Sequence, residues 1–341
     1  MHTFSLGRST PKNVTPFGTR SLVTQQQLPI LSKMALYRLV LAPRGFREPH
    51  WHPNAHELGY CARGTCLVTL FLNGNEHESF LVCKGELFFI PSGALHHIEN
   101  VGEEEAEFLL CFSHEQPEDF GLSGSVGAMS RSVMGNTWDL PIQALDHLIS
   151  SPDDLLIGQT QERAPLSESL SYSNRFKLSV EKMSPQIANA YGTARTATSS
   201  SWPILEELSM FSLRIAGTGM REPHWHPRTA ELGYILSGQA RMTVRGPQDD
   251  VDTYTLEEGD CYFIPKGYPH DIENLLPSET HLLVFFDQAL GQDIGYSGGI
   301  AAYPPRILIP TLMRSSTVLP PLPGYVQDAM LVEKKNSVDL P

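Results

Sequence analysis

The heptapeptide Arg47-Glu48-Pro49-His50-Trp51-His52-Pro53 returns as Arg221-Glu222-Pro223-His224-Trp225-His226-Pro227, 174 residues further on. The same offset relates Glu57 to Glu231, Gly64 to Gly238, Gly85 to Gly259, Pro91 to Pro265, Gly93 to Gly267, His96 to His270 and Asn100 to Asn274. It reaches upstream to Pro29-Ile30-Leu31 against Pro203-Ile204-Leu205. Downstream it relates Asp119, Gly121, Ser123 and Gly124 to Asp293, Gly295, Ser297 and Gly298. One offset, kept without insertion or deletion over about a hundred residues, marks a tandem duplication. The chain must therefore build one kind of unit twice, and 341 residues suffice for two domains with separate cores. The copies put an N-terminal domain at 1–160 and a C-terminal domain at 170–341, with 159–174 read as the linker.

Within each copy the apolar runs are short. Those at 36–40, 67–71, 87–90 and 108–112 are bounded by Gly, Pro or Asn, which reads as strands. Asn73-Gly74 predicts a two-residue hairpin turn. Many short strands with turn punctuation predict an all-β fold with short helices, one sandwich or barrel per copy, rather than a parallel α/β sheet. Short helices are expected at 142–149 and 153–157, and another near 326–331 in a proline-containing tail.

The net charge of −13 argues against nucleic acid or an anionic membrane surface as partner, and leaves a small anion in a locally basic pocket open. No apolar run is long enough for a membrane span. The five cysteines (Cys61, Cys66, Cys83, Cys111, Cys261) form no CxxC pair, which suits free thiols in a reducing compartment. Met1-His2-Thr3-Phe4 opens no apolar stretch of the secretory kind, so a cytoplasmic location is expected.

The chemistry is carried by His-x-His. Alternate side chains of a strand share a face, so His50 and His52 project together, as do His224 and His226. Glu57 follows a reversal at Pro53-Asn54-Ala55, and His96 follows the turn Pro91-Ser92-Gly93, so both can return to the same space. A lone strand histidine is more often a satisfied core or surface residue than a ligand. Here His, His, Glu and His recur in fixed register, and that pattern favours two metal sites: His50, His52, Glu57 and His96, then His224, His226, Glu231 and His270. Three neutral imidazoles and one carboxylate leave an octahedral first-row ion two open positions, for water, a bidentate substrate or dioxygen. His56, His77, His97, His114 and His281 lack a histidine at the repeat position and are expected in surface or pairing roles. Trp51 and Trp225 alternate with the ligands and should face away from the cavity.

These residues resemble the cupin superfamily. Its first motif, His-x-His-x(3 or 4)-Glu-x(6)-Gly, is matched by His50, His52, Glu57 and Gly64 and by His224, His226, Glu231 and Gly238. Its second, Gly-x(5)-Pro-x-Gly-x(2)-His-x(3)-Asn, is matched by Gly85, Pro91, Gly93, His96 and Asn100 and by Gly259, Pro265, Gly267, His270 and Asn274. Arg-Glu-x-His-Trp-His is similar to the bicupin oxalate decarboxylases. That resemblance implies two tandem jelly-roll β-barrels, manganese in each, a homo-oligomer, and Arg47 and Arg221 on a substrate carboxylate beside the metal. Because Arg47 lies three residues before His50, a bulge near Pro49 must turn it to the same side.

The family's lid string Ser-Glu-Asn-Ser-Thr is absent; the stretch there reads Gln116-Pro117-Glu118-Asp119-Phe120-Gly121. Glu118 is the candidate proton donor, whereas Asp119, repeated as Asp293, suggests a shared turn. The resemblance thus implies a manganese-dependent carboxy-lyase acting on oxalate or a similar small carboxylate, with dioxygen assisting. An oxalate oxidase, an iron-dependent (or other first-row metal) cupin dioxygenase, and a non-enzymatic storage or ligand-sensing bicupin are the alternatives.

Overall fold

The computed structural model describes residues 1–316, 318–322, 324 and 328–338. Nearly all regular structure is antiparallel β, gathered into four sheets, two for each of two compact units. One unit comprises Ser9–Gln27 and Lys33–Lys182; the other comprises Met1–Arg8, Leu28–Ser32 and Met183–Pro341. Each is a two-sheet jelly-roll barrel.

In the first barrel the larger sheet runs in the order Lys177–Leu178, Leu87–Ile90, Glu57–Arg63, Ala106–Phe112, Ala35–Leu41, Gly18–Val23, Asn13–Thr15. The smaller runs Phe120–Gly121, Gly45–Trp51, Leu95–Asn100, Thr65–Phe71, His77–Cys83, and Ile157–Gln159 also pairs with Gly45–Trp51. The second barrel repeats both sheets at the 174-residue offset except at one edge, where Thr3–Ser5 stands in place of a counterpart to Lys177–Leu178, and it has Ile294–Gly295 and Leu331–Glu333 on Gly219–Trp225. Thr65–Phe71 shows why these sequences make strands. Cys66, Val68 and Leu70 alternate inward while the residues between them stay partly or fully exposed, a period of two that only a pleated strand satisfies.

The boundaries differ from the sequence division at 1–160 and 170–341. Thr3–Ser5 pairs with Tyr262–Asp260 and so belongs to the second barrel's sheet, and Lys177–Leu178 pairs with Phe88–Leu87 in the first. Backbone pairing, which leaves little trace in composition, sets those edges.

Other local expectations are also revised. The hairpin after Phe71 forms around three residues, 73–75: Leu72 N–H donates to the Glu76 carbonyl at 2.8 Å. Both Gly74 and Asn75 take positive φ, the conformation Gly and Asn tolerate best. A 3₁₀ turn at Ile142–Leu145 takes the place of the helix expected at 142–149. The expected helix at 153–157 does not form: Leu156 has φ +63°, and Ile157 starts a strand. Gln159 ends that strand and so is not linker. The helix expected near 326–331 falls partly outside the described residues, and Leu331 within them opens a strand. The helices Leu122–Gly127, Arg131–Trp138, Tyr296–Ala301 and Pro305–Leu312 were not foreseen. Among the described residues no helix is long and apolar enough to cross a membrane.

Two glycines are fixed by close approach. A Cβ on Gly59 would come 2.2 Å from the Phe88 ring, and one on Gly233 would come 2.1 Å from the Tyr262 ring. Both rings are fully buried and cannot swing aside without disturbing the core. Gly59→Ala and Gly233→Ala are each expected to destabilise by about 1–3 kcal/mol through overpacking, read as a lower denaturant midpoint at unchanged slope.

Candidate metal centres

His50 lies on Gly45–Trp51 and pairs in register with His96 on Leu95–Asn100; His52 follows at the strand end. Glu57 opens a strand of the opposite sheet. The four side chains converge in the first barrel, all buried, with their ligand atoms within 4.8 Å of one another. His224, His226, Glu231 and His270 do the same in the second. Trp51 points away and stacks on Phe120 at 5.6 Å between ring centroids, and Trp225 packs edge-on against Tyr296 at 5.9 Å. Of the remaining histidines, His281 is buried and pairs with Ser212 Oγ at 2.8 Å.

Backbone carbonyls fix the imidazoles. His50, His52 and His96 donate from Nδ1 to Glu48 O, Glu118 O and Ala94 O at 2.8, 2.7 and 2.9 Å. His224, His226 and His270 donate to Glu222 O, Gln292 O and Tyr268 O at 2.8, 3.0 and 3.0 Å. A carbonyl can only accept, so Nδ1 holds the hydrogen and a neutral ring turns the Nε2 lone pair to the centre. Burial first, then the nearby arginine and histidines, holds His50 and His224 well below the ordinary histidine value, which keeps both rings neutral. Burial works against the Glu57 carboxylate, but protons on the facing His52 and His96 nitrogens would outweigh it and hold it at about 2, and a bound cation would take the place of those protons. Glu231 is lowered in the same way, with burial opposed by His270 and His226.

The result is a set of acceptors facing acceptors. His52 Nε2 lies 3.2 Å from Glu57 Oε2 without hydrogen-bond geometry. Among the described residues His52 Nε2 and Glu57 Oε1 are buried without a hydrogen-bond partner. Buried polar atoms are normally satisfied, and a divalent cation satisfies converging lone pairs of this kind. The donors therefore fit a first-row metal ion.

The arginines are turned to the ligand side. Between Arg47 and His50 the pairing register slips by one residue against His96 and Ile98, and the same bulge lies between Arg221 and His224. Arg47 and His50 are consequently both buried despite their odd spacing. Arg47 Nη2 lies 2.6 Å from both Asp119 oxygens, and Nη1 donates to Leu156 O at 3.2 Å. Arg221 pairs with Asp293 and Met330 O in the same manner. It lines a cavity of about 20 Å³ beside His224, His226 and Glu231, room for about one water.

Residues 4–143 and 178–307 match the cupin family. The chain belongs to that family. This bicupin is 27% identical over 300 residues to the oxalate decarboxylase OxdC of Bacillus subtilis (strain 168), a match covering 83% of this chain and 74% of that protein. A probable oxalate decarboxylase of Arthroderma benhamiae (strain ATCC MYA-4681 / CBS 112371) is 27% identical over 273 residues, covering 77% of this chain and 66% of its own length. The solved structure of Bacillus subtilis oxalate decarboxylase at pH 4.6 superposes with a TM-score of 0.88, over 98% of this chain and 88% of that one. At 24% identity this is a likeness of fold.

Around the two cupin clusters the copies diverge. Arg20 and Tyr37 of the first barrel correspond to Ala194 and Phe211 of the second. Arg20 donates to Asp119 Oδ2 at 2.6 Å, so two guanidinium groups share one carboxylate. Tyr37 is pushed up to about 12, first by burial, and so stays a protonated donor. The Glu118 side chain is exposed and borders, with Tyr37 and Lys12, a cavity of about 540 Å³, whereas its carbonyl holds His52. Gln292 occupies the corresponding position in the second barrel, where its carbonyl keeps the contact with His226.

Sequence reasoning read Asp119 and Asp293 as turn residues and missed their ion pairs; their common offset was the available signal. It also missed Glu48 and Glu222, whose carboxylates accept from Leu156 N–H and Met330 N–H at 2.5 and 2.9 Å. Both are half of the repeated Arg-Glu pair. Nothing local in the sequence marks Arg20 or Tyr37.

Proposed function

We propose that this bicupin is a manganese-dependent oxalate decarboxylase, a carboxy-lyase whose substrate site is the first barrel. His50, His52, Glu57 and His96 hold one manganese ion and His224, His226, Glu231 and His270 the other. The observation that carries the choice of substrate is the buried Arg47 on the ligand side, sharing Asp119 with Arg20. Arg20 takes one oxygen of the Asp119 carboxylate that faces Arg47, and Glu48 Oε1 lies farther off at 3.9 Å, so the Arg47 guanidinium is held in place on the ligand side, where a small dianion can pair with it. In the second barrel Arg221 is matched one-to-one by Asp293, and Phe211, Ile272 and Phe286 make the lining apolar. The names of the relatives at 27% identity agree with this substrate.

Bound manganese supplies Lewis-acid and one-electron chemistry, with dioxygen as partner. Arg47 holds the carboxylate that is kept, and stabilises it as charge develops on that carboxylate's own carbon. Phe112, edge-on to His52 at 4.8 Å, packs against the ligand ring and helps exclude water from it. Cleavage of the C–C bond releases carbon dioxide, and the carbon left behind takes a proton to become formate. Glu118, exposed on the cavity it borders with Tyr37 and Lys12, is the proton donor. Without that proton, oxidation of the same substrate by dioxygen gives carbon dioxide and hydrogen peroxide.

The decisive experiment incubates manganese-loaded protein with oxalate and measures formate, carbon dioxide and peroxide. Formate and carbon dioxide in equal amounts are expected. Glu118→Gln is expected to cut formate by roughly 10²-fold, the usual worth of a positioned general acid, and to shift product toward peroxide. Absence of every product would sink the reading.

Two further properties belong to this proposal. Exposed Phe120, Leu122, Met129 and Val133, with Tyr303, Ile307 and Leu312 in the other copy, support a homo-oligomer, checked by light scattering. Five free cysteines, four of them buried, support a cytoplasmic location.

A further inference from the structure

One buried contact separates the two clusters, and the ligand sets alone do not account for it. Phe88 and Tyr262 are counterparts at the 174-residue offset. They stand opposite Gly59 and Gly233 across the strand pair, each ring lying over its glycine. Glu57 and Glu231 are two residues from those glycines and so share their face. The tyrosine therefore carries a hydroxyl to the ligand: it donates to Glu231 Oε1 at 2.6 Å, while Oε2 faces His226 and His270 at 2.6 and 3.2 Å. Glu57 turns Oε2 to His52 and His96 at 3.2 and 3.3 Å, but Phe88 has no donor to offer. Among the described residues Glu57 Oε1 has no hydrogen-bond partner.

We propose that Tyr262 is a positioning residue that locks Glu231 with one oxygen toward the metal, making the second centre the tighter of the two. The proposal rests on the reading of both clusters as manganese sites. A donor on the far oxygen fixes the rotation of the carboxylate before the ion arrives, so less freedom is lost on binding. Glu57, lacking that donor, is free to turn and to offer one oxygen or two. In the second centre Glu231 would meet the ion already oriented; in the first, Glu57 would be the ligand left to reorient.

Metal-free protein is titrated with manganese, the free ion being followed by electron paramagnetic resonance. Anomalous diffraction from crystals holding one equivalent identifies the centre that fills first. Wild-type protein is expected to fill the second centre first. Tyr262→Phe is expected to weaken that centre roughly 10–100-fold, the usual effect of losing a hydrogen-bonded partner behind a ligand, and to leave the first unchanged. Phe88→Tyr is expected to tighten the first centre instead, a gain that general damage to the fold would not produce. The melting temperature of each metal-free variant reports folding independently of the metal. Equal filling of the two centres in the wild type, or variants that move neither affinity, overturns the proposal while leaving the metal reading intact. Failure of either centre to bind manganese overturns both.

Discussion

His96→Ala is expected to empty the first centre and abolish oxalate turnover, whereas His270→Ala is expected to empty the second and leave turnover in place. His96 and His270 occupy equivalent positions, each cross-strand from the His-x-His histidine, so the two variants remove the same chemistry from different barrels. Losing a direct ligand should exceed the roughly 10–100-fold penalty of losing a partner behind one. Metal content by elemental analysis is expected to fall from two equivalents toward one in both variants. Turnover lost equally in both would show that the first barrel is not the sole substrate site.

The same clusters give the metal-free protein a defined pH response. His50 and His224 are held well below their ordinary value in the folded state, so the unfolded chain binds protons that the barrels refuse. Their contribution to stability is complete above the unfolded histidine value of about 6.5 and is lost as pH falls below it. Glu57, lowered to about 2, adds a second loss as pH falls below the ordinary carboxylate range. Manganese competes with the same protons, so loaded protein is expected to keep its melting temperature to lower pH than metal-free protein.

Replacing the two arginines is expected to separate function from stability. Arg47→Leu removes the proposed carboxylate anchor, and turnover should fall by more than about 10²-fold, the scale set by loss of a charge-stabilising donor. Its cost in stability is expected to be modest, because Arg20 still pairs with Asp119. Arg221→Leu leaves Asp293 without that second cation, since Ala194 stands at the position of Arg20. A broken buried pair costs about 3–5 kcal/mol, and the lower end applies here because Asp293 is partly exposed. Turnover and urea denaturation of the two variants should thus move in opposite order. If Arg221→Leu abolished turnover while Arg47→Leu retained it, the assignment of the substrate to the first barrel would be reversed.

Both variants depend on a backbone irregularity. Arg47 and His50 are an odd number of residues apart, and on a regular strand they would face opposite sides. The slip in register at Glu48-Pro49 brings them together. Proline in the interior of a strand cannot donate to the ladder, so Pro49 and Pro223 are where an irregularity was to be expected. Leu156 and Met330, at φ +63° and +59°, carry the complementary irregularity. Their carbonyls receive Arg47 and Arg221, and their amides are held by Glu48 and Glu222. Branched and bulky residues adopt positive φ only where surrounding contacts over-determine them, and those contacts are supplied from a strand about a hundred residues away.

The ligand sets were legible in the amino-acid sequence because they obey short-range rules. Period two puts His50 and His52 on one face, turn residues return Glu57 and His96, and one offset carries all four to the second copy. One sandwich or barrel per copy follows from the same strand runs and turn residues, and the jelly-roll form from the resemblance to cupins. What tertiary structure alone decided is everything that depends on which strand lies beside which. Thr3–Ser5 closes the second barrel rather than the first. Arg20 reaches Asp119 across 99 positions of sequence. Tyr262 meets Glu231 only because its strand runs beside that of Gly233, while Phe88 in the same place offers no hydroxyl. Local periodicity fixes the face a side chain takes; its partner is set by long-range pairing, and no window of sequence contains both ends of such a contact.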